Sequence, residues 1–363
     1  MFDYQFFIKK IFNNIKAARW AAMVILGLLM VAFFADFIAQ EPRKNALPPL
    51  IPYAANTIDS PNGDYRSPIG EQTITSNYYR HWLGTDQIGR DVLAGLIAGT
   101  RVALSVGFGG MGLALLIGFI TGLSAGYFGN DGLKMTKTGL ILRGCILALA
   151  FFYGLVFFQQ NVSIAWIIFF LISILLIINY LEIKFLFNQK KITVPLDSII
   201  MRGVEVMQGI PTILWLLCLV AIMIRLTIFQ LILLIGLTGW MSFSRLIRGE
   251  MLRVRHLEYI DAARVLGFSN FRIITRHALP NILTPVLTAA SFGVASSILL
   301  ESTLSFIGIG LPPEQVTWGT LLNAARGNFG AWWLAIFPGI MIFITVLAFN
   351  KLGESLKNGR GGN

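Results

Sequence analysis

The sequence has little charge for its length, and this shortage already excludes most soluble classes of protein. Charged residues make up 13% of the 363 positions, whereas hydrophobic residues make up 55% and the mean hydropathy is +0.70. Soluble domains carry about 25% charged residues. A chain this apolar cannot keep its surface in water, so we expect the lipid bilayer to be its solvent.

Cysteine and histidine are also scarce, with two and three residues respectively. Cys145 and Cys218 lie in apolar stretches, too few for a disulfide framework and wrongly spaced for a metal site, so we interpret both as small core residues. The histidines are His81, His256 and His277, which fall on opposite sides of the membrane in the predicted topology. This arrangement disfavours a membrane-embedded enzyme, which would need clustered His, Asp or Glu near one membrane face.

A phosphate-binding loop of the form G-x-x-x-x-G-K-[ST] is absent. The glycine-rich C-terminus, GRGGN, has no strand, no Lys-Ser/Thr pair and no following helix to make one. We therefore expect no nucleotide or other cofactor on this chain, and any energy that drives its function must come from another subunit.

Long apolar runs are what the sequence has in abundance. A transmembrane helix needs about 20 consecutive, mostly apolar residues. Eight stretches qualify, namely Trp20–Ala39, Val102–Tyr127, Leu140–Phe158, Val162–Phe187, Ile199–Ile224, Leu226–Phe243, Asn281–Phe306 and Trp333–Phe349. Because helices are the only open-ended structures that satisfy their backbone in lipid, we predict an all-α polytopic membrane protein.

The net charge of +11 would suit nucleic acid, but its distribution favours a membrane. Segment 245–280 holds seven arginines against three acidic residues, whereas residues 40–101 hold six of each sign. Placing residues 1–19 inside puts every basic cluster on the cytoplasmic side, as the positive-inside rule requires. Both termini are then cytoplasmic, and membrane lipid, not nucleic acid, is the expected partner.

The first long loop, residues 40–97, is predicted to be external and is rich in proline, asparagine and glycine. It ends in "HWLGTDQIGRDVLAGLIAGTR", where Thr85 or Asp86 suits a helix N-cap. Apolar residues recur at helical spacing from Val92 to Ile97. This pattern predicts an interfacial helix that leads into the second span.

One polar stretch interrupts the apolar C-terminal half: "EYIDAARVLGFSNFRIITRHALP", from Glu258 to Pro280. It predicts a helix from Leu257 to Leu266, stopped by Gly267 because glycine adopts the left-handed backbone cheaply. A second helix should start at Ser269 and end at Pro280. A plain cytoplasmic loop with positive-inside arginines is the alternative, but the ordered pattern favours a structured element that docks on another surface.

These residues resemble the EAA loop of ABC-importer permease subunits, which has the form E-A-A, three residues, Gly, nine residues, then I-x-L-P. Asp261-Ala262-Ala263, Gly267 and Leu279-Pro280 fall at that spacing. Asp261 stands in place of the glutamate and His277 in place of the isoleucine. Those departures, with Glu258-Tyr259 upstream, resemble the dipeptide/oligopeptide branch of the family.

Three more stretches resemble the same branch, in order along nearly the whole chain. They are "HWLGTDQIGRDV", "SIIMRGVEVMQGIP" and "ESTLSFIGIGLPPEQVTWGTLL", the last followed by "FPGIMIFITVLAFNKLGESL". The chain is thus similar to a C-type permease subunit of a peptide-class importer. The resemblance implies a type I ABC-importer permease fold with six core helices, in which residues 98–363 form the permease domain.

An extra pair of apolar runs departs from that pattern. Residues 140–187 separate "GLSAGYFGND" from "PLDSIIMRG", which a very short link would ordinarily join. A transmembrane hairpin that leaves and returns to the cytoplasm preserves the topology of the rest. The inserted hairpin could contact lipid, a partner permease or an extra subunit, or serve as structural padding that faces lipid.

The resemblance also implies a mechanism and a set of partners in the bacterial inner membrane. Two cytoplasmic ABC ATPases, a second, B-type permease and an external solute-binding protein would complete the importer. The polar stretch would be the element that couples ATPase closure to helix movement. Its implied coupling residues are Glu258, Tyr259, Asp261, Ala262, Ala263, Arg264, Gly267, His277, Leu279 and Pro280.

Glu301 is the remaining candidate, since a carboxylate inside a membrane span is a functional hypothesis by default. It would line the pathway or pair with the partner permease, or else reach water at the membrane interface. An ATP-independent channel or secondary transporter stays the alternative function. The substrate also stays open among dipeptides, oligopeptides, nickel and other small solutes, as does the choice between heterodimer and homodimer.

Overall fold

The computed structural model describes residues 16–42, 48–132, 134–136, 173, 191–223 and 226–358, and nearly all of its regular structure is helical. In chain order the α-helices are α1 Lys16–Phe33, α2 Ala35–Ile38, α3 Val92–Phe128, α4 Leu196–Gln208, α5 Thr212–Ile222, α6 Ile228–Val254, α7 Glu258–Val265, α8 Asn270–Arg272, α9 Leu279–Ile307, α10 Trp318–Ala325 and α11 Trp333–Asn358. The strands are β1 Lys134–Thr136 and β2 Lys191–Thr193. The all-α prediction is confirmed.

Four helical stretches of the described chain are long and apolar enough to cross a membrane: α3, α6, the stretch Asn270–Ile307 and α11. A fifth is formed if α4 and α5 make one span, although they bend by 78° where they meet. The apolar helix at the first predicted span is shorter, 17 residues from Ala17 to Phe33. The predicted hairpin at 140–187 lies outside the described residues, so the count of eight spans is not confirmed.

The predicted span Ile199–Ile224 is not one straight helix. α4 ends at Gln208 and α5 begins at Thr212, with Gly209 and Pro211 between them. The residue before a proline avoids the helical backbone, which explains the break. Cys218, which we expected in the core, is exposed on α5.

The predicted interfacial helix after the external loop is instead the first part of a longer helix. Residues Val92 to Ile97 are helical, but α3 continues without interruption to Phe128 over 37 residues. At 1.5 Å per residue α3 is about 55 Å long, so it extends well beyond a hydrocarbon core of about 30 Å.

α3 packs on α6 through small residues. A Cβ atom added to Gly118 would lie 2.5 Å from the Cβ atom of Phe243, and one added to Gly122 would lie 2.6 Å from the carbonyl oxygen of Ser244. The Thr121 hydroxyl donates to the Ser244 hydroxyl at 2.9 Å. Small residues four apart let two membrane helices approach closely, so this G-x-x-x-G face fixes α6 against α3.

The described residues divide into two compact units, of which the smaller spans Ser124–Gly203. Within it, β1 and β2 pair antiparallel, with Lys134 opposite Thr193 and Thr136 opposite Lys191. The backbone N–H of Asp197 donates to the Gly129 carbonyl oxygen at 3.2 Å. Both ends of the inserted segment are therefore held side by side, as expected where extra sequence replaces a short link.

Candidate functional site

The polar stretch forms the predicted helix and the predicted glycine stop. α7 covers Glu258–Val265, and Gly267 follows with a φ of +73°. No atom lies within 4 Å of a Cβ atom added to Gly267. The requirement for glycine at this turn is thus conformational and does not come from close packing.

One face of α7 belongs to the core of the chain, and this corrects a prediction. Ile260 and Ala263 are 1% and 3% exposed, so Ala263 packs inward and is not available for docking. Ala262 is exposed, as expected for a docking residue. Asp261 and Arg264, both exposed, form an ion pair at 2.8 Å along the helix.

The outer face of this region is apolar to an unusual degree. Val265 is 88% exposed, Leu266 71% and Phe271, on α8, 77%. Fully burying such side chains stabilises a complex by roughly 1.5–3 kcal/mol each. An exposed apolar cluster among charged residues is typical of a surface that binds another protein.

Two contacts attach α7 and the turn after it to the helical stretch that follows. The Asn281 side-chain amide donates to the Tyr259 hydroxyl at 2.9 Å. The Phe268 ring stacks on the His277 ring, with centroids 6.0 Å apart, and the Arg272 guanidinium lies 4.4 Å from the Phe268 centroid. His277, predicted as a coupling residue, therefore contacts the turn of its own chain.

The second predicted helix does not end at the proline. α8 begins after the N-cap Ser269, a π-helical turn covers Ile273–Ala278, and α9 runs on to Ile307. Proline lacks an N–H and its ring clashes with the carbonyl four residues earlier. The wider π turn before Leu279 and the half-buried Pro280 accommodates that ring, and such turns are frequent at functional sites.

Glu301 has a different environment from the one we expected. Its side chain is 0% exposed, and it accepts hydrogen bonds from the hydroxyls of Ser305 at 2.9 Å and Ser302 at 3.2 Å. The Thr317 side chain, the N-cap of α10, also bonds to it. The expectation of a carboxylate that reaches water is wrong, because this carboxylate is bound within its own chain at a helix N-terminus.

The external segment contains a buried charge cluster that the sequence did not predict. His81 is 0% exposed, its Nδ1 atom lies 2.8 Å from Asp91 and its Nε2 atom 3.1 Å from Asp59. The Tyr53 ring stacks on the imidazole, with centroids 4.2 Å apart. Both ring nitrogens contact carboxylates, so the cluster is a pair of salt bridges that share His81 and not a metal site.

Protonation of His81 follows from these partners. Burial alone lowers its pKa, but the hydrogen bonds and charges of Asp91 and Asp59 outweigh burial, and the pKa is raised above its ordinary value. The sequence contained a signal for the contact with Asp91. In "HWLGTDQIGRD" a glycine-rich turn separates His81 from Asp91, so the chain can bring the aspartate back beside the histidine. The partner Asp59, 22 residues earlier, had no such signal.

The same external segment is fastened to the helices. Trp333, the first residue of α11, donates from Nε1 to the Thr85 carbonyl oxygen at 3.0 Å. Arg90 pairs with Asp86 at 2.7 Å and donates to the Pro313 carbonyl oxygen at 2.9 Å. The segment is thus a folded cap that belongs to the larger unit and is bonded to its helical part.

Comparisons with known proteins agree with the resemblance. The family model described as "Binding-protein-dependent transport system inner membrane component" matches residues 190–357. The dipeptide transport system permease protein of Bacillus subtilis (strain 168) is 28% identical over 301 residues, 82% of this chain and 73% of that protein. The glutathione transport system permease protein of Pectobacterium atrosepticum is 28% identical over 339 residues, with coverages of 93% and 84%. A putative peptide permease protein of Brucella suis biovar 1 is 30% identical over 285 residues, with coverages of 77% and 72%.

Proposed function

The chain belongs to the family of binding-protein-dependent transport system inner membrane components, and on that premise we propose that it is the permease subunit of an ATP-driven importer of di- or oligopeptides. Its apolar helices and its family support a multi-pass protein of the inner membrane. The names of its relatives, which include dipeptide and glutathione permeases, support the peptide class of substrate.

The observation that carries the mechanism is the exposed apolar cluster Val265, Leu266 and Phe271 beside the turn at Gly267. Exposed apolar side chains that lie together on a polar cytoplasmic element are typical of a site that binds another protein. The partner we propose is a cytoplasmic ABC ATPase, with α7 as its coupling helix. Charged Glu258 and Arg264, both exposed, would surround the apolar contact with polar ones.

Movement would pass from the coupling helix to the membrane through its attachments. When two ATPases close on ATP, each displaces its docked helix. The Tyr259–Asn281 hydrogen bond and the stack of Phe268 on His277 would transmit that displacement to α9. Rigid-body switching of this kind suits an element joined firmly to one span.

The implied assembly has a second, B-type permease and an external solute-binding protein. In this assembly both termini of the chain are cytoplasmic.

Affinity purification from the native membrane tests the assembly. We expect a second polytopic permease and one or two ATPases to copurify. A chain that purifies alone and conducts solute in liposomes without ATP would overturn the proposal in favour of a channel or secondary transporter.

Substitution of the apolar cluster tests the docking contact. Val265→Gln and Phe271→Gln should release the ATPases while the second permease stays bound. Ile69→Gln is the matched control, because Ile69 is 82% exposed but lies in the external segment. Retention of the ATPases by both cluster variants would show that the docking surface lies elsewhere.

A further inference from the structure

A cavity of about 420 Å³ lies between α6, α9 and the start of α5, and it gathers hydroxyl groups. The hydroxyl-bearing residues on its wall are Thr212, Thr238, Ser242, Ser296 and Ser297. None of the residues that line it is ionisable. Hydroxyls from three helices thus converge on one space.

The cavity lies at mid-length on both long helices. Gly239 and Ser242 fall near the centre of α6, which covers Ile228–Val254. Gly293 and Ser296 fall near the centre of α9, which covers Leu279–Ile307. Ser296 also lies near the middle of the predicted span Asn281–Phe306, whereas Ser242 lies at the cytoplasmic end of the predicted span Leu226–Phe243. The cavity therefore extends from the midplane, where transporters bind their substrates, toward the cytoplasmic side.

Three of the five hydroxyls are available for a ligand. Thr238 and Ser297 donate to carbonyl oxygens of their own helices, at 2.8 and 2.9 Å. The side chains of Thr212, Ser242 and Ser296 are exposed, and within the described part of the chain none of the three has a hydrogen-bond partner. Polar groups in a membrane span face the protein interior or a water-filled cavity, because lipid cannot satisfy them.

A second cavity provides the contrast. It measures about 370 Å³, and Ser291 is the one hydroxyl on a wall of residues such as Phe108, Leu115 and Leu287. Met111 contributes to both walls, and a Cβ atom added to Gly293 would lie 2.0 Å from its methyl carbon, so it packs directly on the α9 backbone. Of the six hydroxyl-bearing residues that line these two cavities, five therefore line the first and only Ser291 lines the second.

We propose that the hydroxyl-lined cavity is the wall that this chain contributes to the translocation pathway, and that it binds the peptide backbone of the substrate in transit. This inference rests on the proposed function. A serine hydroxyl both donates and accepts, so it pairs with the N–H or the C=O of any peptide bond. Because no charged residue lines the wall, this half of the pathway should not select for charge on the peptide side chains.

Thiol labelling in the native complex tests the assignment. Ser242→Cys and Ser296→Cys are made separately in a chain whose Cys145 and Cys218 have been replaced by serine. A charged, membrane-impermeant thiosulfonate reagent should modify both positions severalfold faster than Leu237→Cys and Phe343→Cys, which are exposed apolar positions on α6 and α11. A transported dipeptide should slow the modification of the serine positions and leave the controls unchanged.

A bulky side chain gives an independent measurement. Ser296→Phe should reduce peptide uptake severalfold at equal membrane abundance, whereas Leu237→Phe should not. If the cysteine-free complex takes up peptide but Ser242→Cys and Ser296→Cys label no faster than the controls, lipid or the partner permease covers these positions and the pathway assignment is overturned. If that complex takes up no peptide at all, the proposed function itself fails.

Discussion

Asn281, in the first turn of α9, donates a hydrogen bond to the hydroxyl of Tyr259 on α7 at 2.9 Å. The same amide group donates to the His277 carbonyl oxygen at 2.8 Å. One side chain thus joins the exposed helix, the π-helical turn and a membrane span. It is a polar connection between α7, the proposed coupling helix, and α9, which carries part of the proposed pathway wall.

Tyr259→Phe removes this connection without changing shape. A neutral hydrogen bond contributes about 0.5–1.5 kcal/mol, so we expect the chain to fold and to keep its ATPases. Uptake per hydrolysed ATP should fall severalfold, because hydrolysis is then less tightly coupled to movement of α9. Tyr78→Phe is the control, since Tyr78 makes one comparable bond, to the Pro49 carbonyl oxygen at 2.7 Å. Equal coupling ratios in the two variants would contradict the prediction.

Gly267 should tolerate asparagine better than valine. Its φ of +73° is the constraint on this residue, because no atom of the described residues lies within 4 Å of an added Cβ. Asparagine adopts this backbone readily, whereas other L residues lose about 1–2 kcal/mol in it and β-branched ones more. Gly267→Val should therefore abolish uptake at normal membrane abundance, while Gly267→Asn keeps most of it. Similar losses for both would show that the side-chain volume matters more than the turn.

The external cap should lose stability as pH rises above neutrality. The pKa of His81 is raised in the folded chain, whereas an unperturbed histidine has a pKa of about 6.5. The charged imidazole stabilises the fold fully at pH values below the pKa of His81 in the unfolded chain. This stabilisation is lost as the pH rises through the higher pKa that His81 has in the folded chain. Thermal unfolding between pH 6 and 9 should show a falling Tm for the parent chain.

His81→Gln provides the comparison for this pH dependence. It removes the titrating group and leaves the buried Asp91 and the partly buried Asp59 without the cation, so its Tm should be lower. Breaking a buried ion pair costs about 3–5 kcal/mol of stability. The difference in Tm between parent and variant should shrink toward high pH. His256→Gln, at an exposed site, should follow the parent curve. A constant difference across the range would mean that His81 does not titrate in it.

Glu301 should act as an internal brace. Glu301→Ala would leave the hydroxyls of Ser302, Ser305 and Thr317 without their acceptor, and unsatisfied buried groups cost about 1–3 kcal/mol. We expect a lower Tm and lower abundance, with unchanged uptake per folded molecule. Normal Tm together with reduced uptake in Glu301→Gln would contradict this prediction and favour the alternative, a pathway or interface carboxylate.

The inserted segment should be dispensable for insertion of the remaining chain. Thr136 pairs with Lys191 in the strand pair that brackets it. Replacing residues 137–190 by Asn-Gly should close that pair as a two-residue hairpin, the turn that this dipeptide favours. We expect normal membrane abundance and retention of the second permease. Loss of either would show that the insertion is needed for the fold or for assembly.

The sequence predicted what depends on local pattern. The helix before Gly267, the span helices α3, α6, α9 and α11, and the insertion point all followed from apolar runs, a glycine and a spacing. The inward rotation of Ala263 did not, because the phase of a short helix is set by the core against which Ile260 packs. The bend between α4 and α5 was signalled by Pro211 but outweighed by the apolar run around it.

Contacts distant in sequence were the other source of difference. The position of Glu301 in a span predicts a pathway, interface or water-facing carboxylate, but its environment depends on Thr317, the N-cap of α10. His81 was judged by its distance from the other histidines, whereas its partners are aspartates. Neither contact can be predicted from a local sequence pattern, because such a pattern does not say which carboxylate will face which donor once the loops fold.

The antiparallel pair of β1 and β2 has a consequence for how this chain can change over time. Its two ends meet with the spacing of neighbouring strands, about 4.8 Å, so sequence of any length can be gained or lost beyond Thr136 and Lys191 without altering the distance that the remaining chain has to bridge. The strand pair is therefore a position at which the chain tolerates insertions and deletions. A lineage could acquire, exchange or discard a module there while the transport machinery on either side goes on evolving under its own constraints.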